Sequence, residues 1–179
     1  MRKTVCAGIV TCFVSGLLAC SSSSSLYESG MFQGRSLLAQ GQYKEARDEF
    51  VKAGRGLHEA APLALAATAS YKARDLANAR RFLSAAEALP PDASFLRIGG
   101  YKALVFLAQG EKEEGLEALK AYIAYYDTLY PLDTIAEVAA MAETGKVDVA
   151  ALEGLLDRQI TAYEEKVDRF MTTGSGFGD

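Results

Sequence analysis

Reaction chemistry needs several reactive side chains gathered in one place, and this chain supplies few. Its single histidine, His58, stands apart from any spaced run of cysteines or carboxylates. A zinc centre takes three or four such ligands, and an activated nucleophile takes a partnered base. His58 therefore reads as a surface residue between two helices. Carboxylates are plentiful at Glu111, Glu113, Glu114, Glu143, Glu164 and Glu165. Most fall on predicted solvent faces, whereas a catalytic pair needs a cleft that perturbs it. Gly99 and Gly100 lack the downstream glycine, lysine and hydroxyl residue of a phosphate loop, so close helix packing is their simpler explanation. We expect no enzyme, no cofactor and no metal site. What remains is the chemistry of the three cysteines, Cys6, Cys12 and Cys20.

Arg2 and Lys3 form a basic start, and Val5 to Ala19 form a fifteen-residue, mostly apolar run. That run is short for a bilayer-spanning helix and has the layout of a removable targeting segment, with small Ala19 directly before Cys20. It resembles a bacterial lipoprotein signal peptide, with Leu17, Leu18, Ala19 and Cys20 as the lipobox. The resemblance implies removal of residues 1–19 and lipidation of Cys20 with three palmitate-like acyl chains. By the habit of that family, Ser21 after the cysteine implies the outer membrane, with the protein facing the periplasm. Each buried methylene contributes about 0.8 kcal/mol, so several chains make a permanent anchor.

Cleavage would leave 160 residues, one domain's worth, without Cys6 and Cys12 and so without a disulfide. Loss of Arg2 and Lys3 takes the net charge from −4 to −6. Such acidity argues against a nucleic-acid partner, because phosphate binding rests on Lys and Arg. Residues 20–26, with Ser21 to Ser25, read as a flexible tether. Five extended residues reach at most about 18 Å, which keeps the domain near the bilayer.

An internal repeat organises the rest. Leu38, Ala39, Gln40 and Gly41 recur as Leu107, Ala108, Gln109 and Gly110, with Lys72, Ala73, Arg74 and Asp75 between them. Three units of about 34 residues follow, a period typical of stacked helical hairpins. The second helix of each unit puts Tyr43, Ala46, Phe50 and Ala53, then Leu76, Ala79, Leu83 and Ala86, then Lys112, Gly115, Leu119 and Tyr122 on one face. The small residues Ala46, Ala79 and Gly115 would admit a neighbouring helix closely. The order Gly41, Tyr43, Ala46, Phe50, Ala53 resembles the tetratricopeptide repeat, with Gly34 at that repeat's glycine position, over residues 27–131. The resemblance implies an all-α, tetratricopeptide-like helical-hairpin array, an α-solenoid of about eight helices. A related helical-repeat solenoid would carry the same hairpins.

Punctuation agrees with hairpins. Asp75 is placed to cap a helix from Leu76, and Asp92 after Pro90 and Pro91 to cap one running to about Gln109. Pro62 fits a first helical turn, and Gly41 and Gly110 suit tight bends. Asp133 to Glu143 predicts a short helix, broken at Gly145. Val149, Leu152, Leu156, Ile160, Tyr163, Val167 and Phe170 predict one long amphipathic helix over 148–171. Within residues 132–172 this helix is expected to cap the array's apolar end; a coiled-coil seam would show the same period. The glycine-rich tail, 173–179, is expected to be disordered.

By the tetratricopeptide resemblance, first helices line a concave partner-binding groove. Its positions are Met31, Arg35 and Leu38, then Thr68, Tyr71 and Lys72, then Gly100, Leu104 and Leu107, a surface suited to one extended peptide or one helix. Tyr122, Tyr126 and Tyr130 recur every four residues beside Tyr125. They read first as packing beneath the terminal helices and second as an aromatic contact, with Tyr125 the most exposed. Lys72, Arg74, Arg80 and Arg81 read as an ordinary charged face, or as a contact for anionic headgroups or an acidic partner. The expected function is a membrane-anchored scaffold or accessory subunit of an envelope assembly. The alternative, motivated by Tyr71, Leu104 and Leu107, is a receptor for a small apolar ligand or lipid serving a transporter.

Overall fold

Left-handed backbone marks where helices reverse, and it recurs here at matched places. Gly41 (φ 76°), Arg74 (φ 62°) and Gly110 (φ 81°) each end a helix. Each donates its N–H to the carbonyl three residues back, namely Leu38, Tyr71 and Leu107. The following residue in each case, Gln42, Asp75 or Glu111, donates to the carbonyl five back at 2.9 Å. This is one helix-stop motif used three times. Ala46, Ala79 and Gly115 lie five places beyond each reversal, and all three are buried. Aligned on these reversals, Arg74 matches Gly41, so Tyr71 rather than Lys72 matches Leu38.

A computed structural model of the chain describes residues 17–126, 129 and 135–173. Residues 1–16, with Cys6 and Cys12, and also Tyr130, Asp133 and the residues from Gly174 on lie outside the described residues. Among the described residues there are eight helices: α1 (Leu17–Ala39), α2 (Tyr43–Ala53), α3 (Ala60–Lys72), α4 (Leu76–Glu87), α5 (Phe95–Ala108), α6 (Lys112–Tyr126), α7 (Ile135–Thr144) and α8 (Val149–Thr173). Each helix from α1 to α6 packs on the next; α3 also meets α5, and α8 packs against α5. The backbone of α1 runs from Leu17 through Cys20 and the serines, where a flexible tether was expected. None of these helices is long and apolar enough to cross a membrane.

Small residues let the helices approach. A Cβ added at Gly115 would lie 2.6 Å from Leu107 Cγ, and one at Gly34 would lie 2.5 Å from the Phe50 ring. Helix α3 is alanine-rich, and Ala64, Ala66, Ala67 and Ala69 are all fully enclosed, as befits a helix apolar on every side. Phe50, Tyr71, Tyr101, Leu104, Leu119 and Tyr126 fill the interior.

Caps hold the ends. Asp75 Oδ1 accepts from the Asn78 N–H at 3.2 Å, as its position predicts. Pro62 sits in the first turn of α3. Asp92 acts differently from expectation, since α5 begins later, at Phe95. Its Oδ2 accepts from the Ala60 and Ala61 N–H groups, both at 3.1 Å, while Oδ1 accepts from the Ser94 N–H at 2.8 Å. Asp92 therefore caps α3, some thirty residues upstream, because the α4–α5 link passes over the start of that helix.

Candidate functional site

The face made by α3 and α5 is where most of the expected groove residues converge, and α8 lies along it. Leu152, Leu155, Leu156 and Ile160 form the buried stripe of α8. Gly100 on α5 makes room for it: a Cβ there would sit 3.2 Å from Ile160 Cδ1 and 3.6 Å from Leu156 Cδ1. With that stripe spent inside the chain, it does not form an outward coiled-coil seam, and α8 covers a side of the helices, meeting α5 rather than extending from α7.

Polar pairs flank the stripe. Lys72 Nζ donates to Glu153 Oε1 at 2.8 Å and to Asp157 Oδ2 at 2.7 Å. The other Asp157 oxygen accepts from the Tyr101 hydroxyl at 2.5 Å. Tyr122 donates to Gln159 Oε1 at 2.9 Å. Arg97 donates through Nε and Nη2 to both oxygens of Glu164 at 2.8 Å, and through Nη1 to Thr68 Oγ1 at 3.3 Å. Such a two-pronged guanidinium–carboxylate pair fixes direction as well as distance.

The electrostatics follow the geometry. Burial disfavours the charge on Arg97, yet the hydrogen bonds and charge of Glu164 outweigh it and its pKa rises. Lys72 behaves alike: burial lowers its pKa, while Asp157 and Glu153 raise it by more. Burial and the neighbouring Asp157 carboxylate push the Tyr101 phenol well up. Burial, then the Glu153 charge, push Tyr71 up to about 12. Both cations and both phenols thus stay protonated across the physiological range.

The expected groove residues divide. Thr68, Tyr71 and Leu104 are buried, and Lys72 is half-buried in its ion pairs. Leu107 turns toward Gly115 and belongs to the α5–α6 contact. Leu38 is half-buried against the core. Met31, at the edge of burial, and exposed Arg35 border a cleft of about 170 Å³ together with Tyr27, Arg97, Glu164 and Asp168. Of the expected groove positions, Met31 and Arg35 thus border this open cleft at α1, whereas α8 covers Lys72 and Gly100.

Of the tyrosines, Tyr122 and Tyr126 are buried and Tyr125 is 48% exposed. Phe95 links two elements: its ring centroid lies 4.2 Å from that of Tyr125 and 5.4 Å from that of Tyr163 on α8. Beside it opens an apolar cavity of about 400 Å³ lined by Pro90, Phe95, Gly99, Ala118, Tyr122 and Tyr125, among others. Gly99 faces it with room for a side chain, since a Cβ there would meet only the Tyr122 ring, at an ordinary contact distance of 3.7 Å.

The basic group does not form one patch. Lys72 serves α8, Arg80 pairs with Glu111 at 2.7 Å and lies over the Phe106 ring, and Arg81 lies over Phe82. Glu164 leaves the solvent-facing set assigned from sequence, because Arg97 draws it in. His58 is exposed in the α2–α3 link. Among the described residues no cluster of histidine, cysteine and carboxylate groups is arranged to hold a metal ion.

Arg97, Tyr101, Asp157 and Gln159 were not singled out from sequence. A signal was present: Glu153, Asp157 and Glu164 recur at spacings of four and seven, one row beside Leu152, Leu156 and Ile160. Helical neighbours at those spacings share a face. No family model matches the chain, and no curated protein matches its sequence.

Proposed function

We propose that the chain is a membrane-anchored, tetratricopeptide-like lipoprotein of the bacterial periplasm. In this reading it binds another envelope protein, as a scaffold or accessory subunit of a secretion, pilus, transport or outer-membrane assembly. The observation that carries this reading is the threefold helix reversal at Gly41, Arg74 and Gly110, each followed five residues later by a buried small residue. Stacked units of one design offer extended faces for partners rather than a reaction cleft. The lipobox-like Leu17 to Cys20 supports the membrane address. Lipid confinement would raise the effective concentration of the domain for partners on the same membrane.

Fractionation tests the anchor. Cys20→Ser should move the protein from the membrane to the soluble fraction and end its labelling by palmitate. Equal membrane attachment of both forms, with neither labelled, refutes it. A photocrosslinker at Arg35, on the open cleft, should capture one envelope protein repeatedly.

The 400 Å³ cavity favours a second reading, a receptor for a small apolar ligand. Its size and largely apolar wall are those of small-molecule sites. A fluorescent fatty acid should bind the purified chain, and Gly99→Leu should weaken that binding at least tenfold.

A further inference from the structure

The contact between α8 and the α3–α5 face is built like an interface between two partners. Cores are apolar, whereas surfaces that meet and part keep polar groups that survive exposure to water. Here the apolar stripe of α8 is bordered on the seat by Lys72, Arg97, Tyr101 and Thr68, and on the helix by Glu153, Asp157 and Glu164. The charges are complementary, two cations facing three carboxylates. Separation would expose that apolar stripe and its seat, each bordered by charged groups that stay solvated. The link to α8, Gly145 to Asp148, lies outside any helix, with Gly145 at φ 63°. Helix α8 is the last described element, and its outward residues Ala151, Arg158 and Glu165 are exposed.

We propose that α8 is a resident ligand: the α3–α5 face recognises an acidic amphipathic helix, and a partner helix carrying that pattern displaces α8. This deepens the binding reading above and rests on it. The recognised pattern is written in α8 itself. It consists of apolar residues at spacings of four, as in Leu152, Leu156 and Ile160, beside carboxylates matching Glu153, Asp157 and Glu164. Helix-in-groove recognition of this kind reads anchors on one face; Lys72 and Arg97, with Tyr101, add the polar register. In the free protein α8 would lower the apparent affinity for a partner by keeping the seat filled, since only the vacated fraction binds.

A charge-swap titration tests this with the full chain and a fluorescein-labelled peptide of residues 149–171 as the probe. Glu164→Arg in the chain weakens only the resident helix, so the natural-sequence peptide should bind that variant at least tenfold more tightly than wild type. Arg97→Glu damages the seat itself. It should bind a peptide carrying Glu164→Arg at least tenfold more tightly than the natural peptide. Glu153→Lys, which touches the Lys72 end of the seat, replaces Glu164→Arg if circular dichroism shows the latter unfolded. Folded variants that bind both peptides equally, or bind neither, overturn the proposal. An envelope protein crosslinked at Arg35 despite that result would leave the scaffold reading standing. Peptide discrimination by a chain that is never membrane-bound would do the reverse.

Discussion

Asp92 offers the sharpest test of the packing because its role spans two links of the chain. Replacing it with alanine removes the acceptor for the Ala60 and Ala61 N–H groups, both at 3.1 Å, and for the Ser94 N–H at 2.8 Å. Loss of a capping side chain costs about 1 kcal/mol, with a range of about 0.5–2. Hydrogen bonds to a charged acceptor contribute about 1.5–3 kcal/mol. Asp92 is half-buried and joins the α4–α5 link to α3, so both contributions apply. Asp92→Ala should therefore cost about 2–3 kcal/mol, which for a chain of this size lowers Tm by roughly 5–10 °C. Asp92→Asn keeps one carbonyl acceptor and should fall between the two. Urea unfolding followed by circular dichroism measures both. Hydrogen exchange should show the fastest gain at Ala60 and Ala61, although Ser94 is the sequence neighbour. A change under about 0.5 kcal/mol, or exchange altered only around residues 92–95, would refute the assignment of Asp92 as the cap of α3.

Gly115→Ala should destabilise by about 1 kcal/mol, because overpacking against Leu107 costs about 1–3 kcal/mol and exceeds the roughly 1 kcal/mol helix-propensity gain. Gly154→Ala, with nothing nearer than the Arg158 side chain at 3.8 Å, should instead stabilise by that gain in the same urea titration. Hydrogen bonds from the Asn78 side chain and backbone hold the Asp75 carboxyl below the usual carboxylate range. A lowered folded pKa means that its contribution is complete above the unfolded value of about 4 and fades as pH falls through the folded one. The stability gap between wild type and Asp75→Ala should thus be about 1 kcal/mol at pH 7 and close on acidification; a gap that widens would contradict it. Arg97→Met should cost about 3–5 kcal/mol by stranding Glu164, and pairing it with Glu164→Leu should recover most of that loss. A double variant as unstable as the single would show that the ion pair is not the cause.

Helices α2, α4 and α6 were legible in the sequence because their information is local. Ala46, Phe50 and Ala53, or Ala79, Leu83 and Ala86, recur with the helix period, and Gly41 and Gly110 mark reversals that need left-handed backbone. Arg74 disguised the middle reversal, since no glycine announces it, and the alignment through Lys72 slipped by one residue. The long helix was legible as a helix, Val149–Thr173 against an expected 148–171. Its docking place was not, because an apolar stripe says that something is covered and not what covers it. The partner of Glu164 lies 67 residues away, at Arg97. A pairing of that separation leaves no periodic trace around either residue. The cavity was hidden for a similar reason: Gly99 and Tyr122 were each noticed, but only the α5–α6 packing sets them on one wall.

The polar pairs also settle a question that the apolar stripe of α8 leaves open. Leu152, Leu156 and Ile160 repeat every four residues, so the stripe alone would fit almost as well after a slide of one helical turn, about four residues. Sliding one way brings Glu164 to the enclosed place of Ile160, beside Gly100, where a carboxylate without a partner is costly. Sliding the other way sets Ile160 opposite Arg97, stranding a guanidinium whose side chain is 9% exposed, and carries Asp148 into the place of buried Leu152. Each alternative register thus buries a charge without its counterion, and only the observed one satisfies Lys72, Arg97 and Tyr101 together. Buried ion pairs add little net stability compared with apolar packing, but they discriminate strongly among arrangements. The same discrimination would apply to a helix from outside: one with the leucine spacing and wrongly placed carboxylates should fail to compete with α8, however apolar it is.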